Sequence, residues 1–509
     1  MSKIKNPFFF LLSFSPSPSP SLPKTPRKPS SPSPLSPFLL LLLLLLLCFT
    51  FFLLSLTNSK IAAGDPPPPM AMTPLPPHSI PGSNLTAGEL DFWRQPEGLG
   101  YRPCLRFSLG YRRASAAIAG ESRRFIVAAV SGGLNQQRRQ IVDAVVIARI
   151  LGAAMVVPEL KLNPIWKDKS KFSDIFDVDH FIGTLRSDVN VVRSLPSDRL
   201  DRRRWHGVES SLPFDASPLW IRAKFHKQLR KNGVLVLKGL DSKLSKDLPL
   251  DLQKLRCKVA FHALRFASPV LELGEKLASR MWEGGPFVAV HLRMERDVWV
   301  RTGCLPGLSP ELDDLVLREL RYRPEFLTDR HNFSEHRSRR IAGLCPLNSG
   351  QLARLLVALG APAAARMYVA GGRPLGGIGA LAPLAAEFQN LHTKETITTT
   401  GELAAFTSRP SIMAAVDFIV AMSSDVFVSS HGGNFHHTMQ GVRAYAGHRK
   451  TLRPNKRALA GLPEKGEEVA LRRAHAAADG RPEDRRRKKG RDVVAFPVPE
   501  CMCSSLQLF

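Results

Sequence analysis

Cysteine is scarce in this chain: seven in 509 residues. That is too few for a fold stapled throughout by disulfides, and no CxxC…CxxC pattern occurs, which excludes a zinc ribbon. Acid is in short supply as well. Asp and Glu number 44 against 71 Lys and Arg, a formal net charge of +27. Such a surface attracts polyanions, whether nucleic acid, anionic membrane, acidic polysaccharide or a sugar-nucleotide diphosphate, without selecting among them. Also missing are GxSxG, the P-loop GxxxxGK[ST] and GxGxxG, so none of those three routes to a nucleophile or a nucleotide site is written here. No short period repeats. The remaining composition is that of a globular protein: 44% hydrophobic and 23% charged residues exclude wholesale disorder. At roughly 150 residues per domain the length implies about three units.

The first sixty residues set the compartment. Phe38 to Leu56 carries no charge and includes nine consecutive leucines, Leu39 to Leu47. As a helix it spans roughly 28 Å, the thickness of a bilayer core. Lys3, Lys5, Lys24, Arg27 and Lys28 precede it without an acid, and only Lys60 and then Asp65 follow closely. The positive-inside rule puts the N-terminus in the cytosol and the remainder in the lumen. A cleaved signal peptide is the competing reading, but its apolar stretch is shorter. The Pro/Ser repeat from Ser15 to Pro34 cannot build a core and reads as a solvated tail. In a lumen, Asn84 and Asn332 head glycosylation sequons, and the six cysteines after Cys48 are free to pair. The RRRKK run from Arg485 to Lys489 then reads as a solvated basic tail rather than a nuclear address.

Asp65 to Pro81 is proline-dense, an extended stem. From about Glu121, short apolar runs alternate with helical periodicity, the pattern of βα units on a parallel sheet. FIVAAV after Arg124 has strand length. Ser131-Gly132-Gly133-Leu134-Asn135 follows, and Gln136 to Leu151 is apolar at helical spacing; Ala153 to Val157 is a second strand. A glycine pair between strand and helix lets the backbone approach a ligand, and the helix start offers N–H groups to a phosphate. A plain βα turn would look the same. A second such unit lies downstream: a helix from Pro410 to about Met422, the strand after Asp425, the loop His431-Gly432-Gly433-Asn434, and a helix from Phe435 to Tyr445. FVAVH (Phe287 to His291) and MYVA (Met367 to Ala370) read as further parallel strands.

His291 and Arg293 lie at the end of FVAVH, where ligands of parallel sheets gather, and alternation points both to one face. Arg293 suits a diphosphate and the charge on a leaving nucleotide; a salt bridge with Glu295 or Asp297 is the plainer alternative. Asp177-Val178-Asp179 is a DxD, the triplet with which some sugar transferases hold a divalent ion, but a three-residue match is cheap and metal binding is not expected. His431, His436 and His437 lack an acid or cysteine at matching spacing, so surface or hydrogen-bonding roles are expected of them.

Taken together and in order, several long blocks resemble the plant protein O-fucosyltransferase-like family: SGGLNQQRRQIVDAVVIARILGAAMVVPEL, IWKDKSKFSDIFDVDHFI, PFVAVHLRMERD, CPLNSGQLARLLVALG, YVAGG, LHTKETI, SSDVFVSSHGGNFHHTMQGVRAYAGHRKTLRPNKR and PVPECMC. They run from about Glu121 to Cys503. The resemblance implies an α/β, GT-B-like fold: two Rossmann-like lobes with a donor cleft between them, behind a single N-terminal transmembrane helix. It implies a single-pass type II Golgi membrane protein that uses GDP-fucose, inverts, and needs no metal or other cofactor. By motif position, Asn135 would be catalytic alongside Arg293 and line the sugar and acceptor side, and Gly132 and Gly133 of its loop would bind the donor. His291 and Arg293 would hold the diphosphate, and Arg293 would aid its departure. Asp425, His431, Gly432, Gly433, Asn434 and Phe435 would hold base, ribose and phosphates. Three departures stand out. Met294 replaces a Phe and is expected on the far face of the sheet. Phe435 and Val442 change the side chains after HGGN. Gly132 stands where some relatives carry a Glu as acceptor base, leaving that base absent, replaced by Glu295 or Asp297, or unnecessary.

The expected layout is a cytosolic tail (1–37), an anchor (38–56), a luminal stem (57–120), an N-terminal lobe (121–280), a C-terminal donor lobe (281–457) and a basic tail (458–509). The expected function is transfer of fucose from GDP-fucose to a luminal protein or glycan acceptor, with no nucleic-acid partner. The alternatives are a cell-wall transferase, such as a pectin rhamnosyltransferase using UDP-rhamnose, and a non-catalytic Golgi scaffold or glycan-binding protein.

Overall fold

FIVAAV is apolar at every position because it is buried on both faces, as β2 of a parallel sheet. A computed structural model describes residues 85–96, 101–162, 166–197, 209–210, 212–241, 243–324, 327, 335–447, 449–460, 492–497 and 500–503. The anchor run Phe38–Leu56, the proline-dense stem, Asn84, Asn332 and the RRRKK run lie outside these residues. Among the described residues no helix is long and apolar enough to cross a membrane.

The strands in chain order are β1 (Arg102–Pro103), β2 (Phe125–Val130), β3 (Ala154–Val156), β4 (Glu159–Leu160), β5 (Val191–Val192), β6 (Glu209–Ser210), β7 (Val234–Lys238), β8 (Phe287–His291), β9 (Arg366–Ala370), β10 (Leu391–His392), β11 (Val426–Ser429), β12 (Thr451–Leu452) and β13 (Met502–Cys503). The first sheet runs β5-β3-β2-β7-β6, with β4 against β2, and the second runs β10-β9-β8-β11-β12; every pairing in both is parallel. Counted within itself, the second sheet has the order 3-2-1-4-5 of a doubly wound dinucleotide fold. Its direction of winding reverses between β8 and β11, and in such sheets ligands settle outside the carboxyl ends of the strands at that reversal.

Four helices frame this arrangement: α1 (Leu134–Leu151), α2 (Ser268–Trp282), α3 (Pro410–Ser423) and α4 (Asn434–Tyr445). Helix α1 ends at Gly152, whose φ of 58° supplies the left-handed cap. On β8, Phe287 and Ala289 face a core shared with α1 and α3, while Val288 and Val290 face a second core, the two-residue alternation of a strand. Met294 belongs to that second core and is fully buried, so it lies on the far face, as expected.

One boundary differs from the sequence reading. The stem does not extend to residue 120: the helix Ala87–Trp93 seats Phe92 and Trp93 in the second sheet's core. Residues after the basic run are tied to the body of the fold. Cys501 pairs with Cys257 and Cys503 with Cys104, β13 pairs with β1, and Asp492 takes ion pairs from Arg139 at 2.5 Å and Arg256 at 3.3 Å. This C-terminal strap passes so close to α4 that a Cβ on Gly441 would collide with the Val494 carbonyl.

Arg443 ties the second sheet together from within. It is fully buried on α4. Its Nη1 donates to the carbonyls of Ala421, Met422 and Ser424 (3.2, 3.1 and 2.8 Å), and its Nη2 to those of Asp425 and Lys450 (3.0 and 2.8 Å). One guanidinium thus satisfies the end of α3, the start of β11 and the approach to β12. Lysine has fewer donors and no planar fork. Arg443→Lys should therefore lower stability by about 3 kcal/mol or more, at ~1–3 kcal/mol per stranded acceptor. Denaturant unfolding of the full-length protein measures this, and a loss below ~0.5 kcal/mol, the usual range of a surface change, would refute it.

Candidate active site

The register of β8 on β11 places His291 beside Ser429. Ser429 Oγ donates to the His431 carbonyl (2.8 Å) and lies 3.0 Å from His291 Nδ1. A hydroxyl has one proton, so His291 Nδ1–H must be the donor in the second contact, and Nε2 keeps its lone pair. Burial and the nearby Arg293 hold the His291 pKa well below its ordinary value, so the ring is neutral. Phe435 stacks flat on it, centroids 4.2 Å apart at 9°. The Ser430 amide donates to the His291 carbonyl (3.0 Å) and Ser430 Oγ accepts from the Arg293 amide (2.9 Å). The two strand ends are therefore tied residue by residue.

Arg293 is half-buried between two carboxylates: Nη1 lies 2.9 Å from Glu295 and Nη2 lies 3.4 Å from Asp297. Glu295 also accepts from the Gly372 amide (2.9 Å). The plainer salt-bridge reading and the functional one coincide, because the pairs fix the guanidinium at the carboxyl edge of the sheet.

His431, Gly432 and Gly433 form the turn into α4. Gly433 is its N-cap and makes no side-chain cap bond. A Cβ at Gly432 or Gly433 would meet nothing within 4 Å, so the backbone is open to an approaching group. Burial, Lys456 and Arg293 lower the His431 pKa to about 3. Its Nδ1 faces Lys456 Nζ at 3.3 Å, which leaves Nε2–H as the outward donor of the neutral ring.

The first glycine loop is tighter. Gly132 has φ 91°, and a Cβ there would strike the Gln136 side chain; at Gly133 a Cβ would meet the Trp166 ring at 2.9 Å. A glutamate at Gly132 would be strained by that φ and would have to push the Gln136 side chain aside. Asn135, in the first turn of α1, is buried with an unpartnered Oδ1. Gln136 reaches Asp241 beyond β7 (2.7 Å), across the first sheet's own reversal between β2 and β7.

Asp425 does not join these residues. It precedes β11 at the amino end, where its carboxylate accepts from the Phe287 amide (3.0 Å). Ligands collect at the opposite edge, and Asp425 serves the sheet instead. The DxD is likewise engaged elsewhere: Asp177 caps the helix Val178–Leu185 and pairs with Arg265, and Asp179 pairs with Arg193. His436 is not at the surface. It is buried, both ring nitrogens lack partners, and burial lowers its pKa to about 3.

The sequence reading missed a buried network beside β8. Asp417 on α3 accepts from Tyr368 Oη (2.8 Å), the Gly371 amide (3.1 Å) and Lys394 Nζ (2.9 Å), and Lys394 also donates to the Gly371 carbonyl (2.6 Å). The signal was a lone acid in the otherwise apolar stretch SIMAAVDFIVAMS; a buried acid needs a partner. Lys394→Met should cost about 3–5 kcal/mol by stranding Asp417, and adding Asp417→Asn should recover part of it. A double-mutant cycle by chemical denaturation reads this, and additivity of the two losses would be the contrary result.

The model of the family described as GDP-fucose protein O-fucosyltransferase matches residues 125–446. O-fucosyltransferase 37 of Arabidopsis thaliana is 57% identical over 436 residues, covering 84% of this chain and 78% of that protein. O-fucosyltransferase 20 of Brassica napus is 52% identical over 422 residues, covering 82% and 76%. Among solved structures, POFUT1 in complex with GDP-fucose aligns with TM-score 0.40 and 15% identity over 66% of this chain and 98% of that one. Fucosyltransferase NodZ from Bradyrhizobium aligns with TM-score 0.33 and 10% identity over 64% and 92%. A parallel α/β protein with a cationic site at the carboxyl edge of its second sheet is thereby placed among the glycosyltransferases. The chain belongs to the GDP-fucose protein O-fucosyltransferase family.

Proposed function

We propose that this chain is an inverting O-fucosyltransferase, GT-B-like in its paired lobes, that moves fucose from GDP-fucose to a luminal protein or glycan acceptor. Family membership and relatives named O-fucosyltransferases support the reaction. The observation that carries the mechanism is Arg293, a guanidinium fixed by Glu295 and Asp297 at the reversal between β8 and β11. In this reading the acceptor hydroxyl oxygen attacks the sugar's anomeric carbon. The bond from that carbon to the β-phosphate oxygen breaks, its electron pair stays on GDP, and the hydroxyl proton passes to water or the departing phosphate. Arg293 and the Nε2–H of His431 stabilise the charge as it develops. A fixed guanidinium and a neutral donor do this without calling on a metal or other cofactor.

Asn135 lines the acceptor side, His291 and the open Gly432-Gly433-Asn434 turn border the diphosphate, and Phe435 acts through the His291 ring it supports. Gly132 and Gly133 shape the first loop. Glu295 and Asp297 are engaged as counter-ions of Arg293.

The compartment belongs to the same proposal: a single-pass type II protein of the Golgi membrane, anchored by Phe38–Leu56, with sequons at Asn84 and Asn332 in the lumen. Three disulfides among the described residues fit an oxidising lumen.

The test is a nucleotide-sugar panel with the full-length protein and mass-spectrometric detection of products. GDP-fucose should be consumed and Arg293→Ala should slow turnover by about 10²–10³-fold, as for loss of an oxyanion donor. Preference for UDP-rhamnose would replace the donor with that of a pectin rhamnosyltransferase. Turnover within a few-fold of wild type in Arg293→Ala would remove its role, and no turnover of any donor would favour a glycan-binding scaffold.

A further inference from the structure

Two of the cations around the site are neutralised: Arg293 by Glu295 and Asp297, Lys394 by Asp417. Lys456 is different. It lies four residues beyond β12, at the same carboxyl edge, and is half-buried. Its Nζ donates to the Cys345 carbonyl (2.8 Å) and to His431 Nδ1 (3.3 Å), two neutral acceptors. Among the described residues no carboxylate pairs with it, and burial lowers its pKa to about 8. An ammonium withdrawn from water without a counter-charge is costly, so its position needs a reason.

Both acceptors are rigidly held. Cys345 is disulfide-bonded to Cys304, and the Leu347 amide donates to the Ser430 carbonyl (2.9 Å). The segment after Cys345 and the HGGN turn therefore move as one, and Lys456 bridges them. Its charge sits against His431, the residue that opens the Gly432-Gly433 turn and on which Arg293 also acts. A pyrophosphate over that turn brings more negative charge than Arg293 can meet, because two carboxylates already share that guanidinium.

We propose that Lys456 is a half-buried, unneutralised cation of the donor site, pairing through its ammonium with the terminal phosphate of a nucleoside diphosphate and so favouring diphosphate over monophosphate. This rests on the nucleotide-sugar reading above and adds a binding residue to it. Lys456 does not touch the reacting carbon. It acts on the leaving group, alone and through His431.

Calorimetric titration of the full-length protein with guanosine, GMP and GDP tests this, comparing wild type with Lys456→Gln and Lys456→Arg. In Lys456→Gln the GDP Kd should rise roughly 10–100-fold, the range of one charge-assisted hydrogen bond. Guanosine affinity should stay unchanged, which also reports an intact fold, and GMP should shift less than about threefold. Lys456→Arg should recover most of the GDP affinity, because charge rather than shape is required. Equal loss for guanosine and GDP would make Lys456 a scaffold of the turn, and no loss for GDP would remove its role; either overturns the proposal. If wild type prefers uridine nucleotides, the guanine reading fails, and Lys456 is judged on the same ratio for UDP and UMP. A wild type that binds no nucleoside diphosphate overturns the donor reading and the Lys456 assignment with it, a result distinct from the selective loss sought in the variants.

Discussion

The guanidinium of Arg443 is the constraint from which the site's geometry follows. It has no acid partner among its hydrogen bonds; carbonyls from the end of α3, the edge of β11 and the approach to β12 surround it. Those carbonyls belong to the last turn of α3 or to backbone between regular elements, so water or a side chain must satisfy them. Arg443 does so in a dry interior and thereby sets where β11 begins. Because β11 is only four residues long, its start fixes its end, and its end is the Ser429–His431 turn. A residue at the back of the sheet thus positions the loop at the front.

The same logic accounts for the acids around Arg293. A free guanidinium at a sheet edge would sample several rotamers and lose entropy on meeting a ligand. Glu295 and Asp297 hold it in advance, at the expense of part of its charge. Lys394 and Asp417 perform a related service one strand away, holding Gly371 where its backbone passes within a Cβ's reach of the Leu292 carbonyl. The site is preorganised from beneath by paired charges, and its outer surface is left to glycine backbone and neutral imidazoles.

Legibility in the sequence followed burial. FIVAAV and FVAVH were readable as strands because both faces are apolar, and α1, α3 and α4 because glycine or proline marks their starts. Contacts between distant segments were not readable. Nothing local in Asp425 says that it bonds to Phe287 at the amino end of the sheet, so its nearness in sequence to His431 was mistaken for nearness to the site. The DxD resembled a metal motif, yet its first Asp occupies a helix N-cap, a position that favours Asp for its own reasons. A surface or hydrogen-bonding role was expected of His436, yet it is buried with neither ring nitrogen bonded among the described residues; only the packing shows which of two adjacent histidines turns inward. The stem was drawn too long because the helix carrying Phe92 and Trp93 is short and preceded by proline.

The strap that closes the fold also orders its synthesis. Cys104 awaits a partner 399 residues later, and Cys257 one 244 residues later. Cys304 and Cys345 are made in the interval, only 41 residues apart. During synthesis two thiols therefore precede their native mates while a short-range pair becomes available. The β1–β13 seam can be sewn only once Met502 and Cys503 have been made, so until then Cys104 and Cys257 are open to the wrong mate.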